Sequence, residues 1–305
     1  MYNNPWKAFT SVDKNRKRPY ICKREMSMPF FQKSIKTICL SALLSVISCS
    51  MLDLFNTGSS SGGLTEDEVV EGLKAALSVG IDSSSSELSA VGGYYLNQAV
   101  KILLPPDVSQ VISYAEQVQG ELVAIQATLD LLGITAFDLN PIINARDSLM
   151  FSMNRAAETA APLSVPIFKN AITGITITDG FSILNGDSTA ATAYLKGKTY
   201  DPLVGVYQPF VDSALQQVGA QRLWQQFSGN YNSFASFYRS LPSTVTSLID
   251  TLPFDTLQTN LALYTTQKGL DGLFYMVGQE EKRIRTDPVA RVSEILQKVF
   301  GSLDH

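Results

Sequence analysis

From Leu64 onward, apolar residues recur at three- and four-residue spacing and strict alternation is scarce. That period lines side chains along one stripe of an α-helix and offers no strand-like face, so it predicts helices throughout. Thr65 with Glu68 forms a capping box before Val69, Val70, Leu73, Ala76 and Leu77, a set closed by Gly80. Pro105 and Pro106 stop the next segment. Asp107 then caps a helix whose Val108, Val111, Ile112, Ala115, Val118, Leu122, Ile125 and Leu129 share a face up to Gly133, the longest helix expected. After a turn at residues 137–141, residues 142–161 form another helix, in which Ala156, Ala157, Ala160 and Ala161 admit a close neighbour before Pro162 and Pro166 punctuate. Thr178 or Asp179 starts a short turn that Asn185 and Gly186 end, and Asp187 caps residues 188–196. Pro209, Gly219, Gly229, Pro242 and Pro253 divide residues 201–255, a region rich in Gln, Asn, Ser and aromatics. Residues 257–279 resume a clear helical pattern. Asp287 then caps a last helix, with Pro288 at its first position and Val292, Ile295, Leu296 and Val299 on one face before Gly301. No internal repeat is visible and no long linker interrupts the pattern, so the expectation is a single all-α, multi-helix domain over residues 64–301 with a tail at 302–305.

The residues available for chemistry narrow the function classes. With 45% apolar and 17% charged residues the chain can bury a core. The one histidine is the terminal His305, which argues against an internal histidine base, a Ser-His-Asp triad or a His-ligated metal. Cys22, Cys39 and Cys49 form no CxxC pair, so neither a zinc cluster nor a disulfide framework is expected. No GxSxG elbow, phosphate loop or dinucleotide fingerprint occurs, and no cofactor is called for. Residues 1–48 hold nine of the 24 Lys and Arg and two of the 28 Asp and Glu, a net of +7, so residues 49–305 carry 15 basic and 26 acidic side chains, a net of −11. An acidic body has no surplus cations to displace counterions from phosphates, so no nucleic-acid partner is expected.

The N-terminus reads as an address. Within MPFFQKSIKTICLSALLSVISC, residues 28–49, Lys33 and Lys36 precede an apolar run of about ten residues, half of what a bilayer-spanning helix needs. The pattern is that of a cleaved signal peptide. Val46, Ile47 and Ser48 before Cys49 resemble a bacterial lipoprotein lipobox, in which the cysteine is acylated and becomes the mature N-terminus; the plainer reading is a small buried cysteine near the end of a core helix. Residues 1–48 are thus a basic arm plus signal peptide, with Met26 and Met28 as alternative starts. Residues 49–63 are a lipidated Cys49 and a flexible Gly/Ser linker. Multiple acyl chains would anchor the protein in a membrane. By the same resemblance, Ser50 in the second mature position favours the outer membrane, with the domain in the periplasm or at the surface.

Three segments resemble an uncharacterised bacterial envelope family, domain of unknown function number 4197. They are FSMNRAAETAAPLSVPIFKNAITGITITDGFSILNGDSTAATAYL at residues 151–195, GLDGLFYMVGQEEKRIRTDPVARVSEILQKVFG at 269–301, and LTEDEVVEGLKAALSVG at 64–80. MNRAAE and EEKRIR are the most specific of these. The resemblance implies a helical envelope protein, often a lipoprotein, and no reaction. Residues 136–148 and 228–250 depart from the family pattern.

The matched segments hold the candidate polar sites. Asn154, Arg155 and Glu158 share one helix, with Asp179, Asn185 and Asp187 in the turns that follow. Arg155 and Glu158, three apart, make an ordinary helical pair, and Asp179 and Asp187 serve most economically as caps. The aspartates could instead hold Ca²⁺ with Asn185, although the D-x-[DN]-x-[DN]-G loop is missing. The second set is Lys268, Asp271, Glu280, Glu281, Lys282, Arg283 and Arg285, where Glu281 and Arg285 have favourable four-residue spacing for a solvated ion pair. In a cleft, Asn154, Arg155, Lys268, Arg283 and Arg285 would instead bind a carboxylate or phosphate ligand. Glu158 with Glu280 or Asp271 is the carboxylate pair that a hydrolase acting on an envelope polymer would use. The leading expectation is a lipid-anchored, non-catalytic protein that binds a ligand or partner or has a structural role. The alternative is the carboxylate-dependent hydrolase, and a third reading is assembly through exposed helix faces.

Overall fold

A computed structural model describes residues 63–254 and 256–304. The basic arm, the signal peptide, Cys49 and the linker up to residue 62 lie outside the described residues. Among the described residues every regular element is helical, and no helix is long and apolar enough to cross a membrane. In chain order the helices are α1 (Glu66–Ser89), α2 (Pro106–Ala124), α3 (Gln126–Leu131), α4 (Asn140–Ile143), α5 (Ala145–Gly174), α6 (Gly180–Leu184), α7 (Ala190–Gln217), α8 (Ala220–Ser240), α9 (Ser243–Thr246), α10 (Leu261–Thr286), a 3₁₀ turn (Pro288–Ala290) and α11 (Glu294–Gly301).

Four long helices, α1, α5, α7 and α10, make the core, each packed chiefly against two of the others. Cross-contacts give their directions. Lys74 donates to the Thr173 carbonyl at 3.0 Å and Ser85 to the Ala161 carbonyl at 2.9 Å, so α1 and α5 run antiparallel. Thr192 meets Glu281, Lys196 meets Asp271 and the Tyr200 hydroxyl meets the Gln267 carbonyl, which sets α7 antiparallel to α10. The result is an up-down-up-down bundle. Val69, Leu73, Ala76, Leu77, Ile81 and Leu88 of α1 are buried, as are Ala156, Ala157, Ala160 and Ala161 of α5, whose small side chains admit the close approach read from the sequence.

The far end of the bundle carries a second layer. Phe137 stacks edge-on against Phe234 at 5.4 Å and lies 5.7 Å from Phe237, while Tyr114 of α2 reaches Phe234 at 6.2 Å. Residues 136–148 and 228–250 therefore pack on each other. Of the aromatics in residues 201–255, Tyr207, Phe227, Tyr231 and Phe234 are core, whereas Phe210 is 40% exposed.

Several boundaries differ from the sequence reading. The Thr65 and Glu68 capping box forms as expected, but α1 continues through Gly80 to Ser89, because Gly80 lies against Val277 of α10 rather than ending the helix. The segment from Val108 to Leu129 breaks at Ile125 into α2 and α3, and Asp107 accepts from Thr259 instead of capping. The longest helix is α5, which starts at Ala145 and runs through Pro162 and Pro166, just as α7 runs through Pro202 and Pro209. All four prolines are exposed, so their rings lie on the outer face and the buried stripe stays continuous. Gly219, at φ 77°, does separate α7 from α8, a left-handed conformation that suits glycine. Helix α7 begins at Ala190 with no side-chain bond from its N-cap Thr189, so Asp187 does not cap it. The last predicted helix is two pieces: Asp287 caps the 3₁₀ turn by accepting from the Val289 amide at 2.9 Å, and α11 follows.

Candidate functional site

Asn154 and Glu158, one turn apart on α5, hold the irregular segment between α1 and α2. Asn154 is fully buried; its Oδ1 accepts from the Ile102 amide at 2.8 Å, and its Nδ2 donates to the carbonyls of Ile102 and Met150 at 2.7 Å each. Glu158, 1% exposed, accepts through Oε1 from the amides of Tyr94 and Tyr95 at 3.2 Å, and its Oε2 pairs with Arg155. Buried backbone without regular structure needs side-chain partners, and these two residues supply them. The Tyr94 hydroxyl crosses to α10 and donates to the Gly269 carbonyl at 2.7 Å. Its ring fits because Gly272 has no side chain: a Cβ there would come within 2.7 Å of the Tyr94 ring. Burial, with Tyr207 and Glu158 nearby, raises the Tyr94 hydroxyl well above the ordinary tyrosine range.

The second set divides between interior and surface. Lys268 and Asp271 pair at 3.7 Å, Lys196 joins Asp271 at 2.8 Å, and Arg283 pairs with Glu280 at 2.5 Å, all on or near the surface. The hydrogen bond to Glu280 raises the Arg283 guanidinium further above its ordinary value. Glu281 and Arg285 are interior. Glu281 accepts from the amides of Ala191 at 3.0 Å and Thr192 at 2.8 Å and from the Thr192 hydroxyl at 2.7 Å. It thereby caps α7 from another helix, placing a carboxylate at the positive end of the helix dipole. Arg285 returns a bond to Glu281 at 2.9 Å and donates to the Leu184 and Ile183 carbonyls at 2.5 and 3.0 Å, satisfying the C-terminus of α6. Arg291, which the sequence reading did not single out, extends the network. It donates to the Ile284 and Arg285 carbonyls at 3.0 and 3.1 Å and pairs with Asp304, the cause that raises its guanidinium above the ordinary value.

The turn residues stay apart. Asp179 accepts from the Ser182 amide at 3.0 Å as the N-cap of α6, Asn185 donates to the Phe181 carbonyl at 2.9 Å, and Asp187 is exposed. Among the described residues no three His, Cys, Asp or Glu side chains converge to hold a metal ion.

Cavities sort the remaining candidates. Asp271 lines one of about 440 Å³ with Thr192, Lys196 and Tyr275, and Glu280 lines another of about 240 Å³ with Ser84, Glu87 and Arg283. Glu158 lines neither. A larger cavity, about 530 Å³, lies between the C-terminal half of α5 and the middle of α7, and its walls are mostly apolar. The sequence reading missed it, because the groove arises from the packing of two helices whose outward faces carry proline and glycine.

No curated protein and no solved structure matches the chain. A family described as "Protein of unknown function (DUF4197)" matches residues 63–301, which is nearly the whole helical domain. The chain belongs to that family.

Proposed function

We propose that the protein is a lipid-anchored component of the bacterial cell envelope, held to the outer membrane through Cys49, whose helical domain binds a ligand or partner without catalysis. The observation that carries this reading is how the carboxylates are used. Glu158 is committed to two backbone amides and Arg155, while Asp271 and Glu280 sit in separate cavities with cationic partners of their own. Paired carboxylates for hydrolysis have to flank one bond, roughly 5–9.5 Å apart across a shared cleft. The mostly apolar groove between α5 and α7, in contrast, has the size and lining of a binding site.

The test is direct. Purified wild-type protein and Asp271→Asn are incubated with peptidoglycan and envelope glycans, with products followed by mass spectrometry. No turnover by either is expected, and turnover by wild type that Asp271→Asn abolishes would replace binding with hydrolysis. For the anchor, intact-mass analysis should find acyl chains on Cys49, and Cys49→Ala should move the protein from the membrane fraction to the soluble one. An unmodified N-terminus elsewhere would overturn that placement.

A further inference from the structure

We infer that the α5–α7 groove binds a single long-chain carboxylate, with its acyl chain along the apolar walls and its head group at Lys198. The inference deepens the binding reading above and rests on it for the site's role. Ile167, Ala171 and Ile175 on one side and Pro202, Leu203 and Val206 on the other make the walls. The groove is open because Gly174 and Ala171 put little side chain into it.

The groove has a direction. The Tyr194 hydroxyl donates to the Thr176 carbonyl at 2.8 Å, so the start of α7 lies beside the end of α5, and Lys198 stands at that end. One turn beyond the opposite end on each helix are Leu163, 44% exposed, and Phe210, 40% exposed, which continue the apolar strip with the half-exposed Val206. From Lys198 to Phe210 is about 18 Å along the helix axis, the reach of an extended chain of about a dozen carbons. A cation at one end and apolar surface along the rest matches an anionic amphiphile, head to tail.

The charge pattern supports the sign of the head group. Lys198 is the one charged residue lining the groove, although residues 49–305 carry a net charge of −11. Lys169, Lys196, Lys268 and Lys298 each pair with a carboxylate; Lys198, like Lys74, Lys101 and Lys282, has no carboxylate partner among the described residues, and it rests 5.7 Å from the centre of the Tyr194 ring. An unpaired lysine beside low-dielectric walls attracts an anion more strongly than one in open water.

The experiment adds photoreactive dodecanoic acid, or the matching photoreactive dodecylamine, to lysates of cells that express the full chain. After irradiation the protein is isolated and the adducts are mapped by mass spectrometry. The acid should label residues 163–175 and 198–210 well above the amine. Lys198→Glu should lower acid labelling about fivefold by reversing the rim charge, and Val206→Glu should abolish it by placing a carboxylate in the wall. Both positions are exposed, and unchanged thermal melting of the variants checks their fold. Absent adducts, adducts elsewhere, or equal labelling by acid and amine would each overturn the inference. Groove adducts together with glycan turnover by wild type would leave this site standing and refute only the non-catalytic reading.

Discussion

Glu281 sits at 0% exposure with four protein groups directed at its two oxygens, and Arg285 beside it is 7% exposed. Replacing it by Gln keeps the volume but leaves the guanidinium without its counter-charge and turns an amide N–H₂ toward donors. Breaking a buried pair in this way costs about 3 kcal/mol, so Glu281→Gln should lower the urea midpoint accordingly. Thr265 is the opposite case. Its hydroxyl is buried in α10 with no hydrogen-bond partner, so Thr265→Val, nearly the same shape, should raise stability by about 1 kcal/mol in the same titration. The candidate residues were legible as residues: Asn154, Glu158, Glu281 and Arg285 stood out as polar groups in a helical pattern. Their roles were not, since each is set by a backbone group 52 to 102 positions away.

At the scale of elements, glycine has opposite effects on buried and exposed helix faces. Gly205 in α7 has nothing within 4 Å of where a Cβ would stand, and a glycine in a helix interior costs about 1 kcal/mol relative to alanine. Gly205→Ala should therefore raise the unfolding free energy by that amount, read from urea titration. Gly72 in α1 faces α11, where an added Cβ would fall 2.7 Å from the Cβ of Val299, so the two helices would have to separate. Gly72→Ala should destabilise by about 2 kcal/mol, measurable by thermal or urea unfolding. The capping box that opens α1 was readable because all its atoms lie within four residues. Proline misled in α5 and α7 because sequence alone does not say which face a proline occupies; on the exposed face the helix bends and continues.

At the scale of the whole molecule, buried tyrosines tie stability to alkaline pH. Burial, with Asp271 adding to it, pushes Tyr200 up to about 12, and burial raises Tyr207 as well. In the unfolded chain these hydroxyls ionise near pH 10. Between about pH 10 and 12 the unfolded state therefore holds fewer protons than the folded one, and stability falls as pH rises through that window. Urea midpoints should be flat below pH 9 and decline above pH 10, and Tyr200→Phe should shallow the decline. The sequence by itself determined the all-helical class, the start of α1, the apolar faces and the family, because helical periodicity and capping depend on contacts within a turn or so of the chain. Only the tertiary structure decided that Glu281 caps α7, that Glu158 holds the segment after α1, and that an apolar groove opens between α5 and α7. Those depend on which helices become neighbours, and a buried amide or an unfilled gap finds its partner through space rather than through spacing.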